Sequence, residues 1–224
     1  MTAISSPPAE ATTEVNRRIS RPGVALLASG PLLIFISELV SPPWPDGADA
    51  ATQASFVLAN ADRLLPSHLL SLIGGALLAA AFVRAPGLLL SRGRTLARIA
   101  AWIGAAGATG LVAYQGSSIL VLNALQADVA VANGVHQAFM TGFVFPLLMV
   151  PVIIGVPVGI LLLAIAALRA RLVRVWVVIV AGVALLSDYA PPPFDIGAFS
   201  ALAAVVLAAI GLGALRPERA RRES

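Results

Sequence analysis

Glu38, His68, Gln115 and Asp188 are the residues of this sequence best placed to do chemistry, because each stands in or at the end of a long apolar stretch. An ionisable side chain at membrane depth is costly and is retained chiefly where function requires it. Two carboxylates and an imidazole held together can bind a cation or carry a coupling proton, and imidazole is the side chain that titrates nearest neutrality. Tyr114, Ser118, Asn123 and Tyr189 stand close enough along the chain to contribute in a second rank. No cofactor fingerprint, complete catalytic set or metal-ligand motif accompanies them, so no cofactor is expected.

The elements that must position these residues are apolar helices. The chain is 58% hydrophobic and only 12% charged, with a mean hydropathy of +0.91. A soluble domain carries roughly 25% charge to keep its surface wet. Apolar segments fall at 22–40, 64–83, 99–125, 138–168, 175–187 and 196–215. Spanning a hydrocarbon core takes about 20 helical residues, which most of them supply. The expected fold class is therefore all-α, a polytopic transmembrane bundle of about six spans. Residues 1–20 read as a disordered cytoplasmic tail, 21–216 as one transmembrane domain and 217–224 as a second cytoplasmic tail. The small-x-small run Ala48-Asp49-Ala50 has the form of a signal cleavage site, but the apolar run before it is longer than a signal core and ends well short of it. The first segment is read as a retained span.

Orientation follows from the arginines. Of 15, fourteen fall in the N-tail, the second loop, the fourth loop and the C-tail, and only Arg63 falls in the other three loops. Short arginine-rich loops resist translocation, which predicts both termini in the cytoplasm. A helix rises about 1.5 Å per residue, so distance from the nearest cytoplasmic arginine is a depth gauge. It puts Glu38 about 25 Å from Arg21 and Gln115 the same distance from Arg98. His68 lies roughly 24 Å from Arg84 and Asp188 roughly 21 Å from Arg174. Four residues of four helices thus share one level beneath the outer boundary, while His136 lies about 50 Å from Arg169 and does not join them. One reading is a pocket open to the outside; the other is that these side chains sit in the outer interface and hydrogen-bond water, headgroups or each other.

Several further features belong to packing. Gly74, Gly75 and Ala79 mark the second span, Gly104, Gly107, Ala108 and Gly110 the third, and Gly155-x-x-x-Gly159 the fourth, all suited to close helix approach. Pro146, Pro151 and Pro157 each remove a backbone donor from the fourth and favour bends. The first outer loop carries Asp46, Asp49 and Asp62 around Pro42-Pro43-Trp44-Pro45, with a short surface helix expected over 50–61.

Other chemistries fall away. Without cysteine there is no disulfide, thiolate metal site or thiol nucleophile, and without lysine no Schiff base. The arginines occupy short loops rather than one continuous face, so no nucleic-acid partner is expected. A haem needs opposed imidazoles at one level, and depth separates His68 from His136. Zinc would draw on Glu38, His68 and Asp188, which no local spacing recommends. The rhomboid proteases share six spans, but Gly116-Ser117-Ser118 departs from their Gly-x-Ser-Gly. Two histidines are too few for an alkaline-ceramidase-like zinc hydrolase. In architecture and residue usage the whole chain resembles the many uncharacterised six-helix integral membrane proteins of GC-rich bacterial genomes, a resemblance that implies no activity.

The expectation is a multi-pass protein of the bacterial cytoplasmic membrane. It is read as a small carrier or sensor whose outward pocket binds a cation, a proton or a small molecule. The alternative is a non-catalytic accessory or assembly subunit docking on a membrane-protein partner or a second copy of itself through small-residue helix faces. A membrane-embedded enzyme comes third.

Overall fold

A computed structural model describes residues 21–43, 45, 50–88, 93–128, 130, 134, 138, 141–187 and 198–215, and among them there is no strand. The helices are α1 (Arg21–Val40), α2 (Ala50–Ala59), α3 (Ala61–Arg84, continued by a 3-10 turn over Ala85–Leu88) and α4 (Arg94–Ala127). Then come α5 (Val144–Arg169), α6 (Val175–Ser187) and α7 (Ala198–Leu215). Four of the helical stretches, Ala61–Leu88, Arg94–Gln126, Val144–Arg169 and Ala198–Leu215, are long and apolar enough to cross a membrane. Two shorter apolar helices run over Ala25–Val40 and Val175–Ser187.

Side chains are distributed for lipid rather than water. Large apolar groups point outward, with Trp102 80% and Leu120 71% exposed, whereas Ser37, Ser67, Ser71 and Ser200 are buried. A continuous apolar exterior of this extent marks a surface that is meant to be covered. With no water to hydrogen-bond the backbone in hydrocarbon, such segments must satisfy their own amides, which is why they are helical.

Neighbouring helices form a closed circuit. Helix α3 packs on α1 and α4, α4 on α5, α5 on α7, and α7 back on α1, while α6 lies against α5 and α7. Small residues set these approaches. A Cβ on Gly30 of α1 would lie 2.7 Å from the Leu78 nitrogen of α3, and one on Gly74 would lie 2.8 Å from the Gly30 carbonyl oxygen. Between α4 and α5, Gly110 faces Leu148, Gly107 faces Pro151 and Val156, and Gly104 faces Gly159. Numbers that rise along α4 while falling along α5 mean that the two run antiparallel. The glycines expected on the second, third and fourth spans are therefore used inside the bundle, Gly74 against α1, Gly75 against α4, and those of α4 and α5 against each other.

Boundaries depart from the sequence reading in instructive places. Helix α4 begins at Arg94 rather than 99, because Gly93 at φ +90° supplies the left-handed entry that a side chain would resist. The fourth span, expected over 138–168, is described as α5 over Val144–Arg169; Ala138 and Thr141 before it are also helical, and a bend and turn at Gly142 and Phe143 stand between. Its Pro151 opens a π-helical turn, Pro151–Gly155, which absorbs the missing amide by widening the backbone. The surface helix ends at Ala59, and the Asn60 side-chain amide donates to the Phe56 carbonyl at 2.8 Å. Arg63, the arginine that breaks the loop pattern, donates to the Val40 carbonyl at 3.1 Å. A cation there caps carbonyls that the end of α1 leaves unsatisfied.

Candidate functional site

The end of the bundle where α1 finishes and α7 begins carries a layer of polar contacts between helices. Glu38, in the last turn of α1, accepts a hydrogen bond from the Ser200 hydroxyl of α7 at 2.6 Å. That length is typical of a hydroxyl bound to a carboxylate. Ser200 is 2% exposed. On the other side of α1 the Ser67 hydroxyl of α3 donates to the Ser37 carbonyl at 3.0 Å. Ser37 itself donates to the Ile34 carbonyl, one turn back, at 2.7 Å. Farther round, His68 of α3 and Gln115 of α4 meet at 2.7 Å between Nδ1 and Oε1. With Gln115 presenting its oxygen, Nδ1 is the donor. The contacts thus run from α7 through α1 and α3 to α4.

Beneath Glu38 and Ser200 lies a cavity of about 160 Å³. Its walls come from five helices and include Ile34, Leu78, Leu111, Val156 and Ile160. Val152 and Ile153, from the π-helical turn, also line it. An apolar cavity of roughly 150 Å³ in a well-studied lysozyme variant holds benzene, which sets the scale of what fits here. The chamber has an apolar body and, in Glu38 and Ser200, a polar end.

The expected group is divided. Glu38 lines the cavity, whereas His68 and Gln115 are absent from its lining and pair with each other between α3 and α4. Asp188, Tyr189 and His136 lie outside the described residues. Ser117 and Ser118 both donate to the Tyr114 carbonyl, at 2.7 and 3.1 Å, so these hydroxyls are used within their own helix. Tyr114 is half-buried and Asn123 exposed. Among the described residues no three His, Asp or Glu side chains gather as a metal site would require. Sequence reasoning passed over Ser200, although it is the one polar side chain of α7. A lone hydroxyl in an otherwise apolar span was the signal available.

The His68–Gln115 contact is testable as a pair. Replacing each by alanine, and then both, is expected to give a coupling of about 0.6 kcal/mol, the usual size for a hydrogen bond between membrane helices. Unfolding in mixed micelles measures it; strict additivity of the two losses would rule the contact out.

No family model, curated protein or solved structure matches this chain.

Proposed function

We propose that the chain spans a bacterial cytoplasmic membrane six times, with both ends in the cytoplasm, and serves as a carrier or sensor for a small, mostly apolar molecule. The ligand bears a cationic or hydrogen-bond-donating head. The observation that carries this reading is Glu38, a carboxylate on the lining of a cavity whose other walls are almost wholly apolar. An apolar pocket with one or two convergent polar groups is the usual form of a small-molecule site, the walls giving affinity and the polar group giving orientation. The size of the cavity supports a body no larger than one aromatic ring or a short branched chain. Its polar end lies opposite the arginine-rich end, which supports access from outside. Docking through small-residue faces is less favoured, since Gly104, Gly107, Gly155 and Gly159 are occupied between α4 and α5.

The chain contains no cysteine, so single cysteines report without background. With a membrane-impermeant thiol reagent on intact cells, Ile34→Cys and Ala203→Cys, which replace cavity-lining residues, are expected to react. Leu32→Cys and Val205→Cys replace residues exposed on the outer faces of α1 and α7 and are expected to stay unlabelled. Ala170→Cys, in the arginine loop, should be protected until the membrane is opened, and Asn60→Cys should react at once. Equal behaviour of cavity and lipid-facing cysteines would dispose of the outward chamber. Reaction at position 170 in intact cells would dispose of the orientation.

A further inference from the structure

A second cavity, of about 490 Å³, lies at the opposite end of the bundle between α6, α7 and the turn joining α5 to α6. Arg174 and Trp176 stand at its rim, and Val205, Ala209, Leu212 and Gly213 of α7 line its length. Val205 and Leu212 are among the outward-facing apolar residues, so this is a groove in the surface turned toward lipid.

The turn beside it is built with unusual cost. The amide of Leu172 donates to the Ala167 carbonyl and that of Arg171 to the Leu168 carbonyl, both at 2.9 Å. This pair of bonds is the Schellman helix ending, whose left-handed position is ordinarily glycine. Here that position is Arg171, at φ 56°. A side chain in this conformation costs roughly 1 kcal/mol relative to glycine. Leu172 is held in place, since Gly213 of α7 abuts its carbonyl so closely that a Cβ there would collide with it. Arg169, Arg171 and Arg174 are all exposed, and no acidic residue occurs along the chain between Asp128 and Asp188. A cationic rim, an interfacial tryptophan and an apolar trough have the layout of a phospholipid: phosphate, glycerol level and acyl chain.

We propose that this groove binds an anionic phospholipid of the leaflet at the arginine-rich end, its phosphate held by Arg171 and Arg174 and one acyl chain laid between α6 and α7. The inference rests on membrane insertion but not on the central cavity or its ligand. Arg174 lines the groove, and Arg171 directly precedes its Leu172.

The test is retention of defined lipids by the full chain in detergent, read by native mass spectrometry with phosphatidylglycerol and phosphatidylcholine added in turn. Wild type is expected to keep one phosphatidylglycerol in preference to phosphatidylcholine. Arg174→Gln and Arg171→Gly are each expected to weaken phosphatidylglycerol binding by about fivefold, from the usual attraction of one arginine for an anionic lipid surface. Arg171→Gly relieves the left-handed strain, so it should melt at or above the wild-type temperature, and its loss of lipid cannot be blamed on misfolding. Ala209→Trp, which fills the trough, should displace both lipids. Inorganic phosphate should not compete at millimolar concentration, because it offers no acyl chain to the groove. Unchanged phosphatidylglycerol retention in the Arg171→Gly, Arg174→Gln double variant would overturn the site, as would full competition by phosphate.

Discussion

Gly159→Leu is expected to prevent accumulation of the folded protein. A Cβ at this position would lie 2.6 Å from the Gly104 Cα and 2.9 Å from the Gly104 nitrogen. These are backbone atoms, so no side chain can rotate away. Gly104 cannot retreat, because the Phe82 ring of α3 already fills the space a Cβ would need. Overpacking a well-fitted interior typically costs about 1–3 kcal/mol. With three helices meeting at one point, a loss of about 3 kcal/mol or more is the expected result, a large share of a typical folding free energy of roughly 5–15 kcal/mol. Size-exclusion profiles and melting in detergent measure it. The matched control is Gly182→Ala on α6, where nothing lies within 4 Å. That change should be neutral or slightly stabilising, since alanine is the better helix former by up to about 1 kcal/mol. A wild-type melting curve for Gly159→Leu would mean that α4 and α5 do not pack as described.

The second large effect concerns Glu38. Benzylamine and toluene share a body that suits a cavity of about 160 Å³, and only the amine can address a carboxylate. Benzylamine is expected to raise the melting temperature of the wild type more than toluene does, since a ligand that binds only the folded state stabilises it by mass action. Glu38→Gln should weaken benzylamine by roughly 10- to 100-fold, the range for losing a hydrogen bond to a charged group. Toluene should bind the variant as it binds the wild type. Ser200→Ala should have a smaller effect on the amine, because it removes a neighbour of the carboxylate and not the carboxylate itself. Ala203→Trp, by filling the chamber, should abolish both. Equal binding of amine and hydrocarbon by wild type would reduce the chamber to a packing void with an incidental acid at its edge.

These two predictions draw on different levels of legibility. The glycines behind the first were visible in the sequence, because Gly155 and Gly159 are one turn apart and must share a face of any helix. Their partners were not visible. That Gly159 meets Gly104 while Phe82 closes the other side depends on how far each helix is rotated about its axis, which helical period leaves open. Glu38 was likewise conspicuous as an acid near the end of an apolar run, whereas Ser200, which binds it, drew no notice. A serine tucked into an alanine-rich span is unremarkable until an acceptor lies opposite.

Length and apolar run by themselves determined the all-helical class and roughly how far along its helix each polar residue stands; about six spans were expected, and four of the described helices are long and apolar enough to cross a membrane. Those properties are local, since rise per residue is nearly constant and each helix closes its own hydrogen bonds. The tertiary structure alone decided which residues meet. Glu38 and Ser200 are 162 positions apart, and their contact exists because α7 closes the circuit against α1, not because of any pattern in either segment. The same closure gives His68 to Gln115 instead of to Glu38 and leaves an apolar chamber in the middle. Neighbour order and axial rotation are set by how all the small and large faces fit together at once, a property of the whole bundle that no single stretch of chain contains.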